Sequence, residues 1–296
     1  MNILVLGGNG FIGNNLIEKL VEIYDNITVF DNKYPDKKYD KVKYIVGNFE
    51  QIDNYRDIFK NIDIVYHLIS TTTPNADKNN IIFDIETNLI PSIKLLNICI
   101  DANVKKIIFT SSGGGIYGEG NNKHLENAPC SPCYAYGINK LCIELYIKFF
   151  HKFYNLDYTI LRISNPYGKN HKNKKQGLIN VMIDKQKNNQ PIQIYGDGHT
   201  IRDYIYIDDV TEALLCAIPK NKSKVFNIGT GIGYSINELI NILSRLSNNT
   251  LNIQYLPKRS VDINKNILDV THAYKELGWK AKIDIETGIK KILDGD

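Results

Sequence analysis

The feature that most constrains this chain lies in its first thirteen residues, where the apolar run Asn2–Leu6 breaks into Gly7-Gly8-Asn9-Gly10-Phe11-Ile12-Gly13 and leads into a helical pattern. Few folds place a buried strand, a glycine turn and a helix start in so short a span. Glycine at 7 permits the tight turn, glycine at 10 lets the main chain approach a pyrophosphate, and glycine at 13 lets the helix lie close against the strand. The expected ligand is a dinucleotide with its phosphates on the helix N-terminus, where N–H groups and the helix dipole favour an anion.

The next segment of the chain strengthens the pattern. Residues 27–30 read as a second strand that delivers Asp31 at its end, 24 residues after Gly7, where a carboxylate accepts hydrogen bonds from both adenosine ribose hydroxyls. A negative side chain there repels a 2′-phosphate, so the sequence predicts NAD in preference to NADP, with Lys33 placed to soften the repulsion.

Strand-like runs at 43–46, 62–69, 105–112 and 158–164 alternate with helical patterns near 54–60, 85–102 and 134–154. Near-continuous apolar strands in such alternation predict an α/β fold, a Rossmann-type doubly wound parallel sheet covered by helices on both faces. After about residue 165 the elements shorten: helices at 177–187, 209–217 and 236–246 mix with strands at 192–195, 225–228 and 251–256. The expected division is an NAD-binding domain over 1–165 and a smaller C-terminal α/β substrate lobe over 166–296, partly threaded back into the first.

Composition excludes several functions. An apolar fraction of 43%, a charged fraction of 23% and a net charge of +4 suit a soluble globular protein and do not argue for nucleic acid. The basic run 169–175 reads as a solvated loop. The first strand begins with no positively charged region before it and no apolar stretch is long enough to span a bilayer, so the expectation is a cytoplasmic protein with no membrane partner. Five cysteines fit thiols in a reducing compartment. Cys130-Ser131-Pro132-Cys133 has the spacing of a redox or zinc pair, but no second pair accompanies it, and no metal is expected.

The chemistry is expected around Tyr136-Gly137-Ile138-Asn139-Lys140, which opens an amphipathic helix and, by its spacing of four, puts a phenol and an ammonium on one face. In a chain with 19 tyrosines this pattern means little alone; it gains weight by coming after a dinucleotide fold and standing 24 residues after Ser112, at the end of the fifth strand. A phenol with a reference pKa of about 10 must lose roughly three units, about 4 kcal/mol, to act as a base near neutrality. Lys140 and an oxidised nicotinamide are the expected sources of positive charge. A serine at the strand end would hold the reacting hydroxyl against the tyrosine; Ser112 is the first choice and Ser111 the alternative.

With these residues in place the chain resembles an extended short-chain dehydrogenase/reductase of the NAD-dependent nucleotide-sugar epimerase/dehydratase family, over essentially its whole length. Matching segments are His67-Leu68, Ser111-Ser112-Gly113-Gly114 leading to Tyr117-Gly118, Asn165-Pro166-Tyr167-Gly168, Tyr195-Gly196-Asp197-Gly198, the run from Arg202 to Val210, and Asn227-Ile228-Gly229. The resemblance implies cofactor contacts at Gly7, Gly10, Phe11, Ile12, Gly13, Asp31, Asn32, Asn48, Phe49, Leu68, Asn88, Tyr136 and Lys140. It implies a nucleotide-diphosphate sugar held by Ser111, Ser112, Asn165, Gly177, Leu178, Arg202, Arg259 and Asp262, with the two arginines on the diphosphate. Asn48 stands where relatives often carry Asp, and Asn266 where some galactose epimerases carry Tyr, which suggests room for an N-acetyl group. A homodimer through helices 85–102 and 134–154, and a role in supplying sugars for surface polysaccharide, are likewise implications of the resemblance.

Dehydratases of the family need an acid and a base beside the serine or threonine, and Gly113-Gly114 stand here instead, which disfavours 4,6-dehydration. The expectation is 4-epimerisation through a transient 4-keto sugar, with an NAD(P)H-dependent reductase of a nucleotide-linked 4-keto-6-deoxy sugar as the alternative. A nucleotide sensor that lost its chemistry is a third reading, against which the intact Ser112, Tyr136 and Lys140 speak.

Overall fold

The computed structural model describes residues 1–73, 81–173, 176–219, 224–259 and 263–295. Its first half runs β1 (Asn2–Leu6), α1 (Phe11–Leu20), β2 (Asn26–Asp31), β3 (Val42–Val46), a 3-10 stretch (Phe49–Phe59), β4 (Ile64–His67), α2 (Ile81–Asp84), a π-helical turn (Ile85–Leu89), α3 (Ile90–Asp101), β5 (Lys106–Ser112), α4 (Gly113–Ile116), α5 (Ala135–Tyr154) and β6 (Asp157–Ile163). Its second half runs β7 (Asn165–Tyr167), α6 (Leu178–Lys187), β8 (Ile192–Tyr195), β9 (Ile201–Tyr206), α7 (Ile207–Cys216), β10 (Lys224–Ile228), β11 (Gly233–Ser235), α8 (Ile236–Ser247), β12 (Ile253–Leu256), β13 (Lys265–Asn266), α9 (Thr271–Leu277) and α10 (Ile285–Asp294).

Seven strands form one sheet in the order β10-β6-β5-β4-β1-β2-β3, and each neighbouring pair is parallel. Alternation along β1 shows why it reads as an unbroken apolar run. Ile3 and Val5 enter one core cluster with α1 and α7, while Leu4 and Leu6 enter the other with α3 and α5. The order reverses between β1 and β4, the crevice where such sheets bind ligands beyond their strand ends. From the second half, β10 returns to pair with β6, Lys224 opposite Thr159 through Ile228 opposite Ile163. The remaining strands make smaller sheets: β11, β13 and β7 flank β9, and β12 pairs with β8.

Two expected helices take other forms. The stretch near 54–60 is a 3-10 run with non-helical breaks at Gln51 and Tyr55, opened by Asn48, whose side chain accepts from Glu50 N. The helix expected over 85–102 is interrupted by the π-helical turn just before Pro91. Proline gives no N–H to the carbonyl four residues back and its ring crowds that carbonyl, so the turn ahead of it opens.

Candidate active site

The glycine turn is built for close approach. Gly7 has φ +81° and its N–H donates to Phe30 O at 2.9 Å. A Cβ on Gly13 would stand 2.3 Å from Gly7 O and 2.6 Å from Gly8 Cα, so only glycine lets α1 start against the strand end. No side chain caps α1 at Gly10, which leaves its first-turn N–H groups to an anion. Phe11 meets the His171 ring edge-on at 4.6 Å, and the backbone of Leu68 and Ile69 lies directly across Gly7.

Asp31 stands beside this turn at the end of β2. Its Oδ2 accepts from Asn9 N at 2.9 Å and its Oδ1 from Asn32 N at 2.8 Å. Burial pushes its carboxyl up, while N–H groups of Asn9, Asn32 and Lys33 pull it back. Asn48 uses its side-chain oxygen as the cap of the 3-10 stretch. Phe49 is buried against the His67 ring, so at this position the backbone, not the ring, is what a cofactor could meet.

Beyond β5 the chemical groups converge. Ser112 Oγ accepts from Gly115 N at 3.0 Å and so starts α4. Tyr136, in the first turn of α5, is half-buried beside it; burial pushes its phenol up to about 12, and hydrogen bonding with Ser112 opposes that. Lys140 Nζ donates to Thr110 O at 3.0 Å and sits 4.7 Å from the Phe109 ring centre and 5.9 Å from that of Tyr136. Burial pulls its ammonium down to about 8. Ser111 faces elsewhere: its hydroxyl donates to Glu144 Oε1 at 2.6 Å, and Glu144 is paired with Arg162 at 2.7 Å in a buried ion pair.

Sequence reasoning placed Asn88 at this site but missed the groups that hold it. Asn88 is not a bare wall of the site: its amide donates to Thr71 Oγ1 at 2.6 Å and Asp84 Oδ1 at 2.8 Å, and its oxygen accepts from Thr71 N at 2.9 Å. Asp84, buried in the turn before Asn88, lies in one packed cluster with Tyr136, Asn139 and Lys140. The signal was present as an acid four residues before Asn88, on one helical face.

On the substrate side Asn165 donates to Asp203 O at 2.7 Å and lies opposite Gly114, where an added Cβ would meet nothing nearer than Asn165 Oδ1 at 3.8 Å. Gly177 has φ +81° and precedes Leu178, the first residue of α6. Arg202 donates to Ile201 O at 2.9 Å and Ile263 O at 2.7 Å, and Arg259 lies over the Tyr195 ring at 4.5 Å. Asp262 lies outside the described residues. Asn266 is fully buried on β13 and donates to Gly118 O at 3.2 Å, which supports the loop after β5.

The residues present fit NAD. The uncapped helix start, the cradle that a Cβ on Gly13 would fill, and the carboxylate at the end of β2 supply the phosphate and ribose ends of such a site. Among the described residues no group of three His, Cys, Asp or Glu could hold a metal, and Cys130 and Cys133 are free thiols.

Comparison with known proteins places this geometry. Residues 3–229 match the NAD dependent epimerase/dehydratase family. A Methanocaldococcus jannaschii protein named as a candidate UDP-glucose 4-epimerase is 35% identical across 99% of this chain and 97% of its own. An Escherichia coli dTDP-4-dehydro-6-deoxyglucose reductase is 32% identical across 98% of this chain and 96% of its own. The crystal structure of a Thermotoga maritima UDP-glucose 4-epimerase with UDP-glucose superimposes with a TM-score of 0.94 at 35% identity, covering 99% of this chain and 98% of that one.

Proposed function

The chain belongs to the NAD-dependent epimerase/dehydratase family, and on that premise we propose that it epimerises a nucleotide-diphospho-hexose at carbon 4, with UDP-glucose and UDP-galactose or their N-acetylated forms as substrates. The observation that carries this is the convergence of Ser112, Tyr136 and Lys140 at the end of β5, two strands from β1 in the same parallel sheet. NAD, when bound, supplies the hydride acceptor and donor at carbon 4. In this reading Tyr136 takes the proton from the 4-hydroxyl and later returns it, Ser112 holds that oxygen, and Lys140 keeps positive charge nearby. The 4-keto sugar must turn between the two half-reactions, which asks for a clamped nucleotide and a loose hexose; Arg202 and Arg259 are the groups we assign to the diphosphate, with Asn165 and the Gly177-Leu178 step along the nucleotide sugar.

Glycines at 113 and 114 support epimerisation over dehydration. An added Cβ on Gly113 would meet Leu268 at 2.5 Å, and Gly114 offers no group that could carry a proton. The likeness to the E. coli reductase keeps a second reading in view, a reductase of a nucleotide-linked 4-keto-6-deoxy sugar. Incubation with UDP-galactose and UDP-N-acetylgalactosamine separately, without added cofactor, monitored by NMR of the anomeric protons, separates the two. The gluco epimer is expected; no conversion even with NAD, together with reduction of a 4-keto sugar by NADH or NADPH, selects the reductase.

We also infer a homodimer. Ile81, Ile82, Phe83 and Ile90 on α2 and α3, and Leu145, Phe149 and Phe153 on α5, are exposed apolar side chains on neighbouring helices, a face that a second copy would cover. Five free cysteines support a reducing, cytoplasmic setting. Supply of sugars for polysaccharide is the role this activity suits. The division into a cofactor domain over 1–165 and a substrate lobe over 166–296 is our reading of the same chemistry.

A further inference from the structure

Asp84 is 3% exposed, and a carboxylate so placed needs strong compensation for lost hydration. Two donors reach it, Thr72 Oγ1 at 2.7 Å and Asn88 Nδ2 at 2.8 Å, both to Oδ1 and both neutral. The cation in the same packed cluster is Lys140, which is not in direct ion-pair contact with it. Lys140 in turn has a carbonyl and an aromatic face as its close partners. Glu144, the acid on its own helix, is occupied by three contacts from Arg162 and one from Ser111.

We propose that Asp84 is a positioning residue for the reaction: its buried carboxylate, fixed by Thr72 and Asn88, is the counter-anion of Lys140 across the packed cluster they share with Tyr136. The proposal rests on the reading of Tyr136 and Lys140 as the reacting pair. The groups facing the pair are Glu144 on α5, Tyr134 before it, Asp84 on the π-helical side and His67 on β4. His67 is neutral, held down to about 3 by burial. Against the burial that lowers Lys140, Asp84 is the first opposing charge and Glu144 the second; at Tyr136 the same carboxylate disfavours the phenolate. Asp84 therefore raises both pKa values, and its neutralisation lowers both.

The test is competitive labelling of lysines with acetic anhydride across pH 6 to 10, with Lys140 tracked by peptide mass spectrometry in the full chain, and NAD binding measured alongside to verify the fold. In Asp84→Asn the half-labelling pH of Lys140 is expected to fall by about one unit, while Asp84→Glu keeps the wild-type value; Asp84→Ser replaces Asp84→Asn if that variant does not fold. The pH profile of turnover should move to lower pH on both limbs, whereas a structural role alone would lower its height without moving it. An unmoved Lys140 midpoint overturns the pairing whether or not the protein turns over a nucleotide sugar. A moved midpoint in a protein that converts no nucleotide sugar supports the charge pairing and overturns the functional reading above it.

Discussion

The Ser111 hydroxyl donates to Glu144 Oε1 at 2.6 Å, which commits it to the buried Glu144–Arg162 pair and leaves Ser112, its neighbour on the opposite side of β5, to face Tyr136. The two serines should therefore fail differently. Ser112→Ala is expected to lower kcat by about a hundred-fold with little change in melting temperature, since it removes a bond to the reacting oxygen. Ser111→Ala leaves a buried carboxylate one donor short and should cost about 1–3 kcal/mol of stability with kcat within a few-fold of wild type. Steady-state kinetics and thermal melts of both variants check this; the reverse pattern would exchange the two roles.

Tyr136→Phe should bind NAD and nucleotide sugar yet lose nearly all turnover. The protein by itself holds this phenol protonated, pushed up to about 12 by burial, with the Lys140 ammonium 5.9 Å from the ring centre. Lowering this pKa toward neutrality needs positive charge, for which Lys140 and an oxidised cofactor are the expected sources. Turnover should rise with pH as the phenol loses its proton in the loaded enzyme, far below pH 12, while in the cofactor-free chain a tyrosinate absorbance that Tyr136→Phe abolishes should emerge only near pH 12. A Tyr136→Phe variant with normal activity would sink the assignment.

The large sheet, the glycine turn, Asp31 and the Tyr136–Lys140 pair were legible in the sequence because each rests on local spacing. Alternate residues of β1 entering two cores make a continuous apolar run, and a four-residue step on a helix fixes a shared face. The short strands β7, β11 and β13 carry no period long enough to read, since two or three residues give no alternation. Asp84 was hidden for another reason. An acid in a helix ordinarily signals a solvated face, and here Thr72 and Asn88, brought in by the loop after β4 and the turn before Pro91, make burial possible. The burial of Asn266 was not legible because it depends on β9 and on the loop after β5, both remote in sequence.

Gly13→Ala should abolish NAD binding out of proportion to its size. The added methyl would meet Gly7 O at 2.3 Å and Gly8 O at 2.6 Å, both backbone atoms of the turn itself, so α1 must move away from β1 and carry its N–H groups off the phosphate position. We expect at least a hundred-fold loss of NAD affinity by calorimetry, with a lower melting temperature. Gly114→Ala, whose methyl would meet nothing nearer than Asn165 Oδ1 at 3.8 Å, should leave NAD affinity unchanged; equal losses in the two variants would show that the turn is not where the phosphates bind.

His67 gives the folded state a built-in sensitivity to acid. Ser92 Oγ donates to Asn88 O at 2.6 Å, so its contact with His67 Nε2 at 2.8 Å must run from the imidazole N–H to the hydroxyl, and Nδ1 is left buried with no partner. A proton placed there would find no acceptor, and burial accordingly lowers the group from 6.5 to about 3. The unfolded chain takes up a proton near 6.5 and the folded chain does not, so the unfolded state holds more protons between these values. Stability from this residue is complete above pH 6.5 and falls as pH drops through 6.5 toward 3, by about 2 kcal/mol at pH 5. His67→Gln, which keeps an N–H for Ser92 and never ionises, should lose about that much less stability than wild type between pH 7.5 and pH 5 in urea unfolding. Equal losses in both proteins would mean that the imidazole is protonated in the folded state after all.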